Sequence, residues 1–556
     1  MSIGEVLLER GLIKPEDLAE ALALRKRTGQ RLDKALIESG HVSEEQVLRV
    51  MSEQLGIPMV NLAEVEIDVE TLRSLPPKLV YRRGLVPLSK ENGVLRVATS
   101  DPFDLYSFDE VRLMTGMEIQ PALAPSEEID KVIKSYYGVG GETIDEMMDS
   151  SDLEIVSSSN GDSDDLLEMA QEASVIKLVN EVFLEALKER ATDIHIEPYE
   201  RDLVIRYRTD GVLQLTKLPM QIRRFQAAII SRIKIMADLN IAERRLPQDG
   251  RIKLQAGGRQ IDVRVSVIPM LFGEGVVMRL LDRANLTFTL SRLGMVEDTL
   301  ELFHRTIARP HGILLVTGPT GSGKTTTLYA ALQEIVSPAI KVITVEDPVE
   351  YHIDGVNQIQ AHPKVGLTFA RGLRHILRHD PDIVMIGEIR DLETAEAAVQ
   401  ASLTGHLVFS TLHTNDAASA PTRLLDMGVE PFLVTSTVEA VMAQRLVRTI
   451  CPDCKESYES DPTAMPADFQ MEPGQKLHRG AGCRKCRGTG YYGRTGLFEL
   501  MLLTESLRER IMARSPTGVV LAAARKEGLR LLREDGWLKV RQGITTPEEV
   551  IRATKA

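Results

Sequence analysis

Apolar and polar residues alternate in blocks between residues 292 and 450. Four short apolar runs have the length of buried strands, and helical segments separate them: Ile313–Thr317, Val342–Val345, Ile383–Ile386 and Leu407–Thr411. Strands that are apolar throughout and alternate with helices are typical of a parallel sheet covered by helices on both faces. We therefore predict an α/β core over residues 292–450.

A different pattern precedes this core, over residues 167–291. A helical pattern runs from Ser174 to about Arg190, and apolar and polar positions then alternate along Leu203–Arg208, Ile261–Ser266 and Val276–Leu281. Alternation with a period of two indicates strands that bury one face. The pattern predicts a separate α/β domain in which one face of the sheet is covered.

Residues 1–138 combine two small modules. Within residues 1–60 the segment Ile3–Gly11 recurs as Leu32–Gly40, and each copy ends at a glycine before a second helix. This pattern predicts either an internal repeat or a small helical bundle that uses one hairpin twice. Residues 61–138 mix short strands with helices, and the acidic, serine-rich stretch 139–166 is predicted to be a mobile linker.

Composition narrows the class of protein. The chain of 556 residues is long enough for several domains, and its net charge of −13 argues against nucleic acid or anionic lipid as a partner. No apolar stretch approaches the ~20 residues of a membrane-spanning helix, and the N-terminus lacks the pattern of a secretory signal. We expect a cytoplasmic protein that reaches a membrane only through partners.

A phosphate-binding loop follows the first strand of the core. Gly318–Thr325 fills the pattern GxxxxGK[ST], and a helical segment begins at its end. In such a loop successive backbone N–H groups face one anion, Lys324 reaches the β/γ-phosphates, and the Thr325 hydroxyl binds Mg²⁺. The chain has no guanine-specificity motif, so ATP is the expected nucleotide. The predicted nucleotide-binding residues are Gly318, Pro319, Thr320, Gly321, Ser322, Gly323, Lys324, Thr325 and Thr326.

Polar clusters adjoin the other three strands of the core. Ligands bind beyond the carboxyl ends of strands in such sheets, so acids placed there are candidates for catalysis. Glu388 is predicted to hold Mg²⁺, directly or through water. Glu350 is predicted to orient or deprotonate the attacking water, with Glu346 as the second choice. His406 and His413 are candidates for contacting the γ-phosphate, and local hydrogen bonding is their alternative role.

The four cysteines form two pairs after the core, Cys451 with Cys454 and Cys483 with Cys486. Each CxxC knuckle presents two thiolates, and four thiolates suit one tetrahedral Zn²⁺. A redox-active dithiol is the alternative, but thioredoxin-like surroundings are missing. We predict a closed structural zinc site in a lobe at residues 451–496, followed by a helical C-terminal domain at residues 497–556.

Several motifs of the chain are similar to those of the secretion ATPase superfamily. They are the phosphate-binding loop, Val345–Glu350, Ile386–Asp391, Thr404–Asn415, Thr192–Pro198 and Leu246–Arg251. Within this superfamily the chain resembles the assembly ATPases of type II secretion and the extension ATPases of type IV pili. The resemblance implies a RecA-like core, a preceding PAS-like domain and hydrolysis of ATP.

The resemblance also implies a hexameric ring in which the domain before the core closes over nucleotide bound between subunits. By motif position, Arg251 and Arg264 are the arginines that this domain would place at the phosphates. Pairing with Asp249 or Asp262 is their alternative role. The cysteines agree with the resemblance, because assembly ATPases of the superfamily often carry a tetracysteine lobe.

The N-terminal repeat resembles a module that binds cyclic di-GMP in some relatives. That module opens each copy with Arg-Leu-Gly, whereas the first copy here opens with Ser2-Ile3-Gly4 and the second has Asp33 in place of the glycine. We therefore expect docking to a cytoplasmic domain of an inner-membrane partner rather than binding of cyclic di-GMP. The resemblance implies a motor for pseudopilus assembly and protein export. A type IV pilus motor and a nucleotide-gated scaffold are the alternatives.

Overall fold

The computed structural model describes residues 3–137 apart from 63, 64, 66 and 73, and residues 173–216, 220–256, 259–282, 289–460, 465–470 and 474–555. The chain divides into two compact units, Met1–Leu281 and Asp282–Ala556. This division falls somewhat before the boundary predicted at 291/292. The linker predicted at 139–166 lies outside the described residues.

The first module of unit 1 is built from four helices: Ile3–Glu9, Pro15–Thr28, Leu32–Glu38 and Glu44–Leu55. Leu7 and Leu36 occupy equivalent positions and are both fully buried. Gly11 and Gly40 follow the first helix of each copy with φ values of 69° and 76°, a left-handed conformation that favours glycine. The two copies therefore share one helix–glycine–helix structure, as the repeat in the sequence predicts.

A three-stranded sheet forms the second module of unit 1. Its strands are β1 (Val86–Glu91), β2 (Val94–Thr99) and β3 (Glu118–Leu123). β1 pairs with β2 antiparallel, and β2 pairs with β3 parallel. The helices of this module are Val69–Leu72, Pro77–Arg83, Leu105–Thr115 and Ser126–Tyr137.

The last part of unit 1 is a six-stranded sheet of order β6-β5-β4-β9-β8-β7. The strands are β4 (Asp193–Pro198), β5 (Leu203–Thr209), β6 (Val212–Leu215), β7 (Gln248–Ala256), β8 (Arg259–Met270) and β9 (Gly273–Asp282). Helices Ala173–Lys188 and Gln226–Met236, the latter preceded by the 3-10 turn Met220–Phe225, share a buried apolar core with one face of this sheet. Ile194 and Ile205 point into that core, whereas His195 and Arg206 lie on the other face.

Unit 2 is organised around a seven-stranded sheet of order β12-β11-β13-β14-β10-β15-β18. The strands are β10 (Gly312–Thr317), β11 (Val342–Glu346), β12 (Val356–Gln360), β13 (Ile383–Ile386), β14 (Leu407–Leu412), β15 (Val438–Ile450) and β18 (Tyr491–Leu502). All neighbours pair parallel except β15 and β18, which pair antiparallel at one edge. The four strands predicted from the apolar runs are β10, β11, β13 and β14.

Helices cover both faces of this sheet. Leu315 and Val408 belong to one apolar core, and their strand neighbours Leu314 and Phe409 belong to the other. Successive residues of a strand point to opposite faces, so both faces of the sheet are buried. The helices of unit 2 are Glu297–Ile307, Lys324–Ile335, Phe369–Ile376, Leu392–Leu403, Ser419–Asp426, Pro431–Thr437, Glu505–Met512, Thr517–Lys526, Leu532–Arg541 and Pro547–Thr554, with 3-10 turns at Leu290–Arg292, Pro363–Val365 and Pro452–Cys454.

A small lobe leaves the sheet between β15 and β18. It contains the hairpin of β16 (Lys455–Tyr458) and β17 (Leu477–Gly480). Phe469 of the lobe packs against Trp537 of a C-terminal helix, with ring centroids 4.8 Å apart. β18 crosses the boundary predicted at 496/497 and pairs with β15 along most of its length, so this strand belongs to the core sheet.

Candidate functional site

The phosphate-binding loop lies at the carboxyl end of β10, between β14 and β15. Gly318 has a φ of 150°, and a Cβ atom there would lie 2.6 Å from the backbone oxygen of Gln444. Gly323 has a φ of 88° and is followed directly by the helix Lys324–Ile335. Backbone strain and close approach therefore require glycine at both positions, and the loop feeds into a helix N-terminus, which attracts anions.

The side chain of Lys324 folds back onto this loop. Its Nζ donates hydrogen bonds to the backbone oxygens of Gly318, at 2.8 Å, and Pro319, at 3.1 Å. Burial lowers the pKa of Lys324, the charge of Arg445 acts in the same direction, and Glu388 opposes both. The ammonium is thus partly desolvated, and its hydrogen bonds within the described parts of the chain are to neutral carbonyls, which suits a group that contacts phosphate.

Glu388 lies just beyond β13 and His413 just beyond β14, two neighbouring strands. His413 Nε2 lies 3.0 Å from Glu388 Oε2, and Arg390 pairs with the other carboxylate oxygen. Partial burial acts to raise the pKa of Glu388, but the hydrogen bonds from Arg390 and His413 hold it below its ordinary value. Glu388 is therefore an ionised carboxylate whose charge also acts on Lys324.

Glu346 and Glu350 differ sharply in their surroundings. Glu346 is buried and accepts hydrogen bonds from the hydroxyls of Tyr329 and Thr344 and from the amide of Gln358. Burial raises the pKa of Glu346. Glu350 is only half-buried, and its backbone N–H donates to the Tyr329 hydroxyl at 3.3 Å. Glu346 thus belongs to a buried network, which favours Glu350 as the group that meets water.

His406 lies at the opposite edge of the sheet from the phosphate-binding loop. It precedes β14, and its backbone oxygen accepts a hydrogen bond from Gly312, the first residue of β10. Its Nδ1 lies 2.9 Å from the backbone oxygen of Ala401 and 3.0 Å from the hydroxyl of Thr404. Because a strand advances about 3.3 Å per residue, His406 is roughly 20 Å from the loop of its own chain. Within its own chain this position favours local hydrogen bonding by His406, and a contact with the γ-phosphate stays a prediction.

Arg251 and Arg264 lie directly opposite each other on β7 and β8 of unit 1. Residues paired in this way point to the same face of the sheet, and two like charges there repel. Asp249 faces Ser266 in the same ladder, and Asp262 faces Lys253. The register thus places the two arginines side by side on one face of the sheet.

The four cysteines come together between β15 and β18. Their Sγ atoms all lie within 4.8 Å of one another, and three of the separations, Cys451–Cys483, Cys454–Cys486 and Cys483–Cys486, are 3.7 Å. Four thiolates at ~2.3 Å from a tetrahedral zinc would lie about 3.8 Å apart. The cluster is therefore compatible with zinc. Burial opposes ionisation of Cys486, but N–H groups of Cys483 and Gly490 lower its pKa to about 7.

Two residues of the site did not emerge from the sequence, Gln444 and Arg445 of β15. The Gln444 side chain accepts a hydrogen bond from the hydroxyl of Thr327 at 2.8 Å, and Arg445 reaches Asn415 beyond β14. The available signal was a polar pair inside the apolar run Val438–Ile450. Such a pair in a buried strand requires polar partners, and here these partners lie in the first turn of the helix Lys324–Ile335 and in the loop that follows β14.

The comparison with protein families gives two matches. A family model described as "Type II/IV secretion system protein" matches residues 168–552, and a model of the MshEN domain matches residues 55–143. The first match spans the six-stranded sheet and all of the seven-stranded sheet. The second covers the three-stranded module rather than the helical repeat.

Relatives are similar over the whole chain or most of it. The type II secretion system protein E of Xanthomonas campestris is 46% identical over 100% of this chain and 98% of its own. The type IV pilus assembly ATPase PilB of Myxococcus xanthus is 41% identical over 99% of this chain and 98% of its own. The type II secretion system ATPase E of Vibrio cholerae is 54% identical over 73% of this chain and 80% of its own.

A solved structure has the same fold. The Legionella pneumophila ATPase DotB matches with a TM-score of 0.51 and 23% identity, over 67% of this chain and 93% of that one. The family match and the relatives confirm the superfamily resemblance, and this structure confirms the RecA-like fold that the resemblance implies. Since the family model covers most of the chain and relatives align with all of it, this chain belongs to the type II/IV secretion system protein family.

Proposed function

We propose that this chain is a magnesium-dependent ATPase that works as a hexameric ring and powers pseudopilus assembly, and with it protein export, in a type II secretion system. One observation carries the proposal: a phosphate-binding loop lies at the carboxyl edge of a parallel sheet, with the ammonium of Lys324 bound to loop carbonyls and the charge of Glu388 acting on it. In this arrangement Lys324 can exchange its hydrogen bonds to neutral carbonyl oxygens for contacts with the phosphates of ATP.

The residues at this edge of the sheet would have different roles in ATP hydrolysis. Lys324 would leave the carbonyls of Gly318 and Pro319 and pair with the β/γ-phosphates. Thr325 and Glu388 are the residues that would hold Mg²⁺, which neutralises charge on the phosphate oxygens when bound. Glu350 would orient the attacking water and accept its proton, because its carboxylate is less buried than that of Glu346.

The positive charge for the developing phosphate would come from unit 1. Arg251 and Arg264 form a like-charged pair on neighbouring strands, and a guanidinium fork matches phosphate oxygens in geometry. We propose that both arginines serve nucleotide bound in a ring of subunits. Residues 167–291 would then act as the mobile, arginine-donating domain, and residues 292–450 as the ATPase core.

Zinc has a structural task in this proposal. Cys451 follows β15 directly, and Cys486 precedes β18, so an ion held by the four cysteines would fasten the outer ends of the two antiparallel edge strands. The lobe at 451–496 also packs against the C-terminal helices through Phe469 and Trp537. All four tetrahedral positions would be filled by thiolates, so no position is left for catalysis.

The N-terminal modules are proposed to dock onto a cytoplasmic domain of an inner-membrane platform protein, so that the chain works at the membrane from the cytoplasm. Among the described residues no helix is long and apolar enough to cross a bilayer. Arg31, the arginine that opens the repeat's second copy, is already paired with Asp33 at 2.7 Å and Asp101 at 2.5 Å. This pairing is why docking is favoured over cyclic di-GMP binding.

Loss of the phosphate contact tests the enzymatic part of this proposal. Lys324→Ala should abolish phosphate release and weaken ATP binding, whereas a nucleotide-gated scaffold would show no turnover to lose. Lys341→Ala is a suitable control, because this lysine contacts the backbone of His379 rather than the loop. Equal phosphate release by wild type and Lys324→Ala would overturn the proposal.

The type IV pilus extension motor is the second candidate, because PilB of Myxococcus xanthus aligns with nearly the whole chain. Replacing the chromosomal copy of the gene with one that encodes Lys324→Ala distinguishes the secretion function from the pilus function. Loss of exported proteins from the medium with surface pili intact supports the secretion role. Loss of pili with normal export supports the pilus role instead.

A further inference from the structure

Arg445 lies beside the first residue of the phosphate-binding loop. The ladder between β10 and β15 ends at the pair Thr317–Ala443, so Arg445 comes just beyond it, at the carboxyl edge. A Cβ atom on Gly318 would lie 3.1 Å from Arg445 Nη1. The guanidinium therefore borders the loop from the strand on the side opposite β14.

The contacts of this guanidinium are all with neutral oxygens. Nη1 donates to the backbone oxygen of Gln444 at 3.1 Å, and Nη2 donates to the backbone oxygen and to Oδ1 of Asn415, at 2.9 and 3.2 Å. Within the described parts of the chain, no carboxylate forms an ion pair with Arg445. Glu499 and Asp416 act on its charge only from a longer distance.

An unneutralised cation in this position is costly. Arg445 is half-buried, and burial lowers its pKa, while its charge also opposes that of Lys324. Several other half-buried arginines of unit 2 have carboxylate partners, such as Arg448, which pairs with Glu549 at 2.7 Å, although the contacts of Arg510 are with Ser506. Lys324 and Arg445 border one loop, and neither contacts a carboxylate among the described residues. Together they create a positive electrostatic potential that favours the binding of an anion.

A second observation at the same place also indicates a ligand. The hydroxyl of Ser322 is buried and has no hydrogen-bond partner among the residues that the structure describes, and a Cβ on Gly318 would lie 2.6 Å from it. Buried hydroxyls are nearly always paired, so an orphaned one beside an anion-binding loop indicates a missing acceptor or donor. Ser322 and Arg445 thus approach Gly318 from two elements.

We propose that Arg445 is a positioning residue of the nucleotide site, which fixes Gly318 relative to the Asn415 loop and supplies a positive charge that the polyphosphate of a nucleotide neutralises. The inference rests on the proposed function, since it assumes nucleotide binding at this loop. It adds a cation from the same chain to Lys324, distinct from the arginines of unit 1. It also explains why a buried strand carries an arginine that forms no ion pair with any described carboxylate.

The test uses the full-length protein and three variants, Arg445→Gln, Arg445→Lys and the surface control Arg305→Gln. Arg305 pairs with Glu301 on an exposed helix face. Equilibrium binding of ATP and ADP with Mg²⁺ is measured at two salt concentrations, together with the melting temperature without nucleotide. Arg445→Gln should weaken nucleotide binding about 10- to 100-fold, the range for a lost charge-assisted contact, with a smaller loss at high salt.

The melting temperature of the nucleotide-free variants distinguishes a role of Arg445 in nucleotide binding from a role in folding alone. Because Arg445→Gln removes an unneutralised charge, the nucleotide-free melting temperature should stay the same or rise, and Arg445→Lys should recover part of the affinity. Wild-type affinity in Arg445→Gln would overturn the inference, as would a lowered melting temperature with no rescue by lysine. If wild type binds and hydrolyses ATP while Arg445→Gln is unaffected, the inference alone fails and the proposed function stands.

Discussion

His413 Nε2 lies 3.0 Å from Oε2 of Glu388, and this contact joins the carboxyl ends of two neighbouring parallel strands. A carboxylate held in this way is fixed in position and kept ionised. Burial raises the pKa of Glu388, but the hydrogen bond from Arg390 also lowers it, so His413 is not alone in keeping the group ionised. We therefore expect His413 to act mainly by orienting the carboxylate.

His413→Gln should accordingly lower kcat of ATP hydrolysis about 10- to 100-fold with little change in KM, the pattern for an interaction needed mainly in the transition state. His406→Gln is the matched control, because His406 flanks the other end of the same strand. Steady-state phosphate release measures both. A larger loss of activity in His406→Gln than in His413→Gln would contradict the geometry.

A tryptophan beside the tetracysteine lobe can report on the state of the four cysteines. The single tryptophan of the chain, Trp537, donates its indole N–H to Asp468 of the lobe at 3.0 Å and packs against Phe469. Native mass spectrometry should detect one zinc per chain, and a chelator should shift the Trp537 fluorescence as the lobe loosens. The double variant Cys483→Ser, Cys486→Ser should lack both the metal and the chelator response.

A metal-free protein in which the cysteines form disulfides would contradict this account of the cluster. A chelator-induced shift that persists in the double variant would show that the probe reports something else.

The anchoring of the last helix predicts a pH dependence. Glu549 is buried, accepts hydrogen bonds from the backbone and side chain of Arg448, and pairs with Arg552. Burial opposes ionisation, but these contacts lower the pKa of Glu549 to about 2 from an ordinary value of 4.5. A lowered carboxyl pKa stabilises the fold above the unfolded-state value, so this stabilisation, on the order of 3 kcal/mol, is lost as the pH falls from about 5 to 2.

Thermal unfolding of wild type and Glu549→Gln should therefore differ most at pH 6 to 7 and converge only as the pH falls towards about 2. Glu548→Gln, at an exposed neighbouring position, should follow wild type at every pH. A difference between wild type and Glu549→Gln that does not change with pH would contradict the assignment.

The like-charged pair on β7 and β8 leads to a kinetic prediction. Arg251→Ala should lower turnover by about 100-fold or more while ATP affinity changes little, because the charge that it meets develops during phosphoryl transfer. Lys253→Ala removes another exposed cation of the same strand and should have no comparable effect. Unchanged turnover in Arg251→Ala would exclude this residue from the site.

The core was predictable from the sequence because strands that are buried on both faces read as apolar runs. β10, β11, β13 and β14 are such runs, and the loop after β10 has a motif of its own. β12 carries polar residues at Asn357, Gln358 and Gln360, so its pattern does not stand out. The order of the strands depends on contacts between distant segments, which periodicity does not encode.

Two features of the site illustrate where sequence reasoning stopped. His406 and His413 occur in one motif, but they flank the two ends of β14, and counting residues along the strand would have separated them. The place of Arg445 beside the phosphate-binding loop follows from the pairing of β10 with β15. These two strands are far apart in the chain, so the sequence pattern does not reveal their pairing. The choice between Glu346 and Glu350 similarly depended on Tyr329, whose hydroxyl binds Glu346.

Phosphate release by Glu350→Gln tests the central claim most directly. The measurement compares this variant with wild type, both assembled, supplied with Mg²⁺ and shown to bind ATP. The account predicts steady release by wild type and a loss of at least about 100-fold in the variant with ATP affinity retained. No release by the assembled wild type, or equal rates from both proteins, would contradict it.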